Sequence, residues 1–169
     1  VGTFRNCSVL TDYDFTGIET IGDNAFYGCK LLNNVSLSGV KNIGNSAFRG
    51  CTGLTNLSLN GVENIGDSAF YNTGLTSLTL TNIGTVGSSV FKSCSSLESV
   101  SLNNVGEIGE GAFQSVSSIT SLTLDNTGII KSDAFRRCTG LTELNIGSVG
   151  TIGGSVFNGC SSLTELEIE

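Results

Sequence analysis

The chain has 169 residues, 8 basic and 15 acidic side chains, a net charge of −7, and no proline, methionine, tryptophan or histidine. That balance argues against nucleic acid and anionic membrane as partners, since both are met by concentrated Lys and Arg, and no apolar run is long enough to span a bilayer. Without histidine the commonest general base is missing, together with every His-containing metal site and His-dependent triad.

Leu, Ile, Val and Phe supply 51 residues, too many for a disordered chain. Their arrangement repeats. Phe4, Phe26, Phe48, Phe70, Phe91, Phe113, Phe135 and Phe157 follow one another at 22-residue intervals, with one interval of 21 between Phe70 and Phe91. Such periodicity is the mark of a stacked repeat protein.

In chain order, each unit opens with an Ile-Gly corner, as at Ile21-Gly22 and Ile43-Gly44, where glycine suits a tight bend. An Asp, Asn or Ser follows, then Ala-Phe, as in Gly22-Asp23-Asn24-Ala25-Phe26. Such residues cap free amides, which predicts one or two turns of helix or 3₁₀ helix at this point. A small residue comes three positions after the phenylalanine: Cys7, Cys29, Cys51, Cys94, Cys138 or Cys160, with Thr73 and Val116 in the fourth and sixth units. Next comes an alternating apolar pair, which predicts a short strand with one buried face. The pairs are Tyr13/Phe15, Val35/Leu37, Leu57/Leu59, Leu78/Leu80, Val100/Leu102, Leu122/Leu124, Leu144/Ile146 and Leu166/Ile168. A further apolar column (Ile18, Val40, Val62, Ile83, Val105, Val149) leads back to the corner and predicts a second, weaker ladder. The missing residue, between Phe70 and Leu75, should change one loop without breaking the stack.

The expected fold class is an α/β repeat, with a parallel β-ladder on one side and short helical or 3₁₀ turns on the other. No single unit can bury its own apolar stripe, so about eight units over residues 1–169 should form one continuous stack. The sequence starts partway through a unit and stops just after a strand pattern, so it reads as an excised part of a longer chain.

The phenylalanine column is read as structural, its rings buried and stacked between rungs. A disulfide needs suitable Cβ directions as well as proximity, and no C-x-x-C occurs, so the cysteines read as buried free thiols. No catalytic, metal-binding or cofactor-binding residue is assigned. Two surfaces are candidates for binding protein. One is the polar column between the buried strand residues: Ser36, Ser58, Thr79, Ser101, Thr123 and Asn145. The other follows the repeating phenylalanine, where Arg49 and Tyr71 are residue types that interfaces favour.

The compact unit reads x-x-I-G-x-x-A-F-x-x-C-x-x-L-x-x-L-x-L-x-x-V, seen cleanly from Val40 through Ile43, Gly44, Ala47, Phe48 and Cys51 to Leu54. Its L-x-x-L-x-L core marks a leucine-rich repeat, and the whole resembles the BspA-like, or Treponema pallidum-type, branch. That family commonly repeats at 23 residues with a proline near the strand end; here the period is 22, and Ser38-Gly39 and Asn60-Gly61 occupy the comparable turn. The resemblance implies a leucine-rich repeat solenoid and a noncatalytic recognition or adhesion module of a secreted or cell-surface protein. Its implied partner is a protein, such as a host surface or extracellular-matrix protein. The alternative is a structural spacer or scaffold without its own ligand.

Overall fold

The computed structural model describes residues 2–168, apart from the side chains of Asn34 and Ile168. Val1, Glu169 and the expected inward side chain of Ile168 therefore lie outside the described residues. The strands are β1 (Asp12–Tyr13), β2 (Thr20–Ile21), β3 (Asn34–Val35), β4 (Asn42–Ile43), β5 (Asn64–Ile65) and β6 (Ser77–Val86). They continue with β7 (Ser99–Ile108), β8 (Ser121–Asp125), β9 (Thr127–Ile130), β10 (Glu143–Ile146), β11 (Val149–Ile152) and β12 (Glu165–Ile168). All pair in parallel with the equivalent strand one rung away. The molecule is a parallel β-solenoid.

Two ladders run along it. The ladder expected from the alternating pairs is continuous from β6 through β7, β8 and β10 to β12. Near the start only β1 and β3 pair, and no strand forms at Leu57 and Leu59. The turn that follows also differs along the stack. Val40 donates its N–H to the Leu37 carbonyl at 3.0 Å and Val62 donates to Leu59 at 3.1 Å, over Gly39 and Gly61 at φ +90° and +85°. The strand carbonyl is thus committed within its own rung. In β6 and β7 the equivalent turn residues are Asn82 and Asn104, and the chain runs on as ten-residue strands. The second ladder, expected to be the weaker, is the more continuous one. It carries Ile21, Ile43, Ile65, Val86, Ile108, Ile130 and Ile152 in register through β2, β4, β5, β6, β7, β9 and β11.

The helical or 3₁₀ turns are absent: no helix occurs among the described residues, and the segment around each phenylalanine is a chain of tight turns. Its amides alternate between two acceptors. Ala25, Tyr27 and Cys29 donate to the carbonyls of Gly22, Asn24 and Phe26 in their own rung. Asn24, Phe26 and Gly28 donate to Asn45, Ala47 and Arg49 of the next rung, at 2.9, 2.8 and 2.8 Å. A helix would consume every amide internally, whereas here half of them bind neighbouring rungs together. That alternation needs left-handed backbone two residues before and two after each phenylalanine. Asn24 and Gly28 supply it at φ +56° and +72°, and Ser46 and Gly50 at +55° and +75°. The Asp and Asn residues expected to cap a helix instead cap the next rung: Asp23, Asn45 and Asp67 Oδ1 accept from the N–H of Asn45, Asp67 and Ser88 at 2.7–2.8 Å.

The core is a phenylalanine stack. Successive rings from Phe4 to Phe157 lie 4.9–5.7 Å apart and within 20° of parallel. Phe48, Phe70, Phe91, Phe113 and Phe135 are fully buried, while Phe4 and Phe157 are half-buried. The one-residue deficit leaves the Phe70 and Phe91 rings 5.6 Å apart, so it is absorbed outside the stack.

Candidate functional site

The strand-side column forms in part. Thr79, Ser101, Thr123 and Asn145 stand opposite one another in the ladder, and Glu167 follows. Thr79 and Ser101 are exposed, and Thr123 and Asn145 are half-buried. Asn145 donates through Nδ2 to Glu167 Oε2 at 3.3 Å. Ser36 and Ser58 are exposed but lie outside any strand, in a shallow hollow with Ser38 and Asn60. These side chains offer short hydrogen-bonding groups and no aromatic or cationic anchor of the kind that dominates binding energy.

The turn side is different. The residue after each phenylalanine reaches the surface because the left-handed turns alternate inward and outward positions. Tyr27, Arg49 and Tyr71 are half-buried there, one per rung. They form one wall of a hollow of about 420 Å³ whose floor is Gly28 and Gly50 and whose far lip carries Lys30 and Thr52. Both floor glycines are left-handed, and a side chain at Gly50 would stand in the hollow, with only Gly28 within 4 Å of its Cβ. The groove follows the solenoid axis.

Arg49 lies over the Tyr71 ring with Cζ 4.2 Å from its centroid, and Arg5 lies over Tyr27 at 4.6 Å. Such cation–π contacts contribute about 0.5–1 kcal/mol at exposed sites and hold the guanidinium flat, with its N–H groups at the edge. Three cations elsewhere are paired, Lys41 with Glu19 at 3.9 Å, Lys131 with Glu107 at 2.7 Å and Arg136 with Asp133 at 3.4 Å, while Lys92 and Arg137 form no ion pair among the described residues. Among the described residues no carboxylate comes within 4.0 Å of Arg5, Lys30 or Arg49, and no acidic residue lines the hollow.

The structure thus brings Arg49 and Tyr71 into contact and joins to them Tyr27, Lys30 and the glycine floor. Sequence reasoning passed over Lys30 and the floor. The signal was present as an Asn or Gly two positions after each early phenylalanine, at Asn6, Gly28, Gly50 and Asn72. Without knowing that the segment is a left-handed turn, that column has no meaning.

The cysteines line the interior as free thiols. Each of five donates to a phenylalanine carbonyl of the preceding rung: Cys29 to Phe4, Cys51 to Phe26, Cys94 to Phe70, Cys138 to Phe113 and Cys160 to Phe135, at 3.0–3.3 Å. Thr73 fits the same column because its hydroxyl also donates, to the Phe70 carbonyl at 3.1 Å. Burial, with a smaller contribution from the neighbouring Cys29 thiol, pushes the Cys51 pKa up to about 12. In the last pair, a hydrogen bond with Cys160 and then burial raise Cys138, and the same hydrogen bond holds the more exposed Cys160 down. Among the described residues, no group of three or more Cys, Asp or Glu side chains converges as a metal site.

The family model for the BspA type leucine rich repeat region matches the chain in six copies, over residues 1–98 and 65–169. No curated protein matches it. Among solved structures, the T. pallidum leucine-rich repeat protein TpLRR is 36% identical with a TM-score of 0.78, the match covering 86% of this chain and 71% of that one. A leucine-rich repeat protein from Bacteroides ovatus is 24% identical with a TM-score of 0.74, a likeness of fold. That match covers 98% of this chain but 62% of the Bacteroides protein, so the chain spans less than two thirds of its length.

Proposed function

The chain belongs to the BspA-type leucine-rich repeat family, and from that premise we propose that it is a noncatalytic protein-recognition or adhesion module of a secreted or cell-surface protein. It works as one leucine-rich repeat block within a longer chain. The observation that carries this reading is the turn-side groove, where Arg49 and Tyr71 are stacked together and Lys30 stands opposite without a carboxylate partner. A solenoid needs no such arrangement for its own stability, since its core is the phenylalanine stack on the other side of the backbone. Arginine and tyrosine are also the residues in which binding energy concentrates. The surface setting and a host-surface or extracellular-matrix partner follow from family resemblance, with fold alone silent on both.

The test is binding of the purified chain to immobilised extracellular-matrix proteins, followed optically over a concentration series. The parent chain should bind at least one of them saturably. The double variant Arg49→Ala/Tyr71→Ala should weaken that binding at least tenfold while the chain stays folded by circular dichroism, and Thr79→Ala/Ser101→Ala on the strand side should not. The spacer reading draws on the strand face, whose exposed Thr79 and Ser101 offer no anchor. It wins if no matrix protein binds saturably and charge reversal on both faces changes nothing.

A further inference from the structure

We infer that the turn-side groove takes an acidic peptide segment, lying extended along the solenoid axis with its carboxylates on Arg5, Arg49 and Lys30. This deepens the recognition reading above and rests on it. In a chain with 15 acidic and 8 basic side chains, a hollow lined by Arg49 and Lys30 and by no acid stands out, with Arg5 beside it on the Tyr27 ring. Asp23 and Asp67, in the turns that carry Tyr27 and Tyr71, are turned to structural use, each capping the amide of the next rung. No carboxylate among the described residues therefore pairs with Arg5, Lys30 or Arg49.

The chemistry of the donors narrows the ligand. A guanidinium is a planar fork of N–H groups that matches a carboxylate at two points, and those of Arg5 and Arg49 are held over tyrosine rings. Arg5 and Arg49 are two rungs apart, about 10 Å along the stack. Carboxylates at positions i and i+3 of a polyproline II segment are separated by about 9 Å on one face. Gly50 leaves room for a backbone to approach closely, beside the Asn6 carboxamide that covers Gly28, and Lys30 offers a third charge. Nucleic acid fits worse. The tyrosine faces that would stack bases are covered by Arg5 and Arg49, and three cations are few for a phosphate backbone. A long sulfated glycan would also extend beyond the groove into the field of a chain carrying −7.

The experiment uses fluorescein-labelled Glu-Pro-Pro-Glu-Pro-Pro-Glu, the same peptide with Gln for Glu, a heparin hexasaccharide and a single-stranded DNA hexamer, each titrated with the full 169-residue chain. The acidic peptide should bind saturably and lose at least tenfold in affinity between 50 and about 300 mM salt. The Gln peptide should bind at least tenfold more weakly. Arg49→Gln and Lys30→Gln should each weaken the acidic peptide threefold or more. Tyr71→Leu should weaken it by freeing Arg49. Lys41→Gln, which removes the cation paired with Glu19, should leave it unchanged. The inference is overturned if the acidic peptide fails to bind, if the Gln peptide equals it, if Lys41→Gln weakens it as much as Arg49→Gln, or if the heparin or DNA probe binds more tightly. If the acidic peptide fails while Arg49→Ala/Tyr71→Ala still abolishes matrix-protein binding, the ligand chemistry is wrong and the recognition reading stands. If both fail, both fall.

Discussion

The sulfur of Cys51 lies 3.1 Å from the carbonyl oxygen of Phe26, with no exposed surface. The site is small and apolar, which suits cysteine, and the thiol adds a second donor to a carbonyl that already accepts the Cys29 N–H at 3.1 Å. Thr73 turns its hydroxyl to the Phe70 carbonyl of its own rung, whereas Val116 fills the space without a donor. The two residues that depart from cysteine thus do so for different physical reasons. A folded chain treated with a thiol-alkylating reagent near pH 8 should label Cys160 well before Cys51 or Cys138, as read by peptide mass mapping; equal rates would contradict this burial pattern. The Cys51 thiol also sets a pH dependence. Its folded pKa is raised from about 9 to about 12, so its contribution to stability is full below about pH 9 and is lost as pH rises toward 12, where the unfolded thiol ionises first. Urea melts of the parent and of Cys51→Val should show a shallower alkaline decline in the variant.

Among the turns and strands, the glycine corner shows how stacking changes the meaning of a residue. Gly22 and Gly66 occupy the same column of the repeat. A Cβ on Gly66 would stand 2.8 Å from the Asn45 nitrogen and the Gly44 carbonyl carbon, both backbone atoms of the preceding rung. At Gly22 nothing lies within 4 Å, and the backbone is not left-handed. Gly66→Ala should therefore destabilise the chain by about 1–3 kcal/mol through forced displacement of the backbone. Gly22→Ala should be neutral or stabilise it by about 0.4–1 kcal/mol by restricting the unfolded chain. Equal effects in chemical denaturation would mean that the rungs do not approach as closely as this. The same close approach explains Gly106 and Gly150 in the second ladder, where a Cβ would come within 2.5 and 2.6 Å of the carbonyl oxygens of Gly84 and Gly128.

Across the whole molecule, stability is a chain of nearest-neighbour contacts, because each rung touches only those beside it. A central ring has two stacking partners and no solvent contact; the ring of Phe157 has one partner and is half-buried. Phe70→Ala should cost about 3–5 kcal/mol and Phe157→Ala less than half of that. Amide exchange should follow the same gradient, slowest in β6 and β7 and fastest in β1 and β12, where one neighbour is lacking. Uniform protection along the chain would show a single cooperative unit and sink the nearest-neighbour picture.

The period, the stack, the parallel register and most of the buried columns were legible in the residues, because equal positions of successive 22-residue copies stack on one another, while Ile152 and Leu166 of those columns are exposed in the last rungs. So were Arg49 and Tyr71 as neighbours on one surface, since equal positions in adjacent rungs must touch. Three things were decided only by the tertiary structure. The segment around each phenylalanine could satisfy its amides within one rung or between rungs, and only the closeness of the next rung made the second arrangement available, replacing helix with turns. The strand ladder pairs at β1 and β3 and again from β6 onward, but no strand forms at Leu57 and Leu59, although all of these rungs carry the same alternating pair. The groove likewise exists because left-handed turns lift Tyr27, Arg49 and Tyr71 outward beside a glycine floor, a matter of backbone hand that side-chain periodicity does not encode.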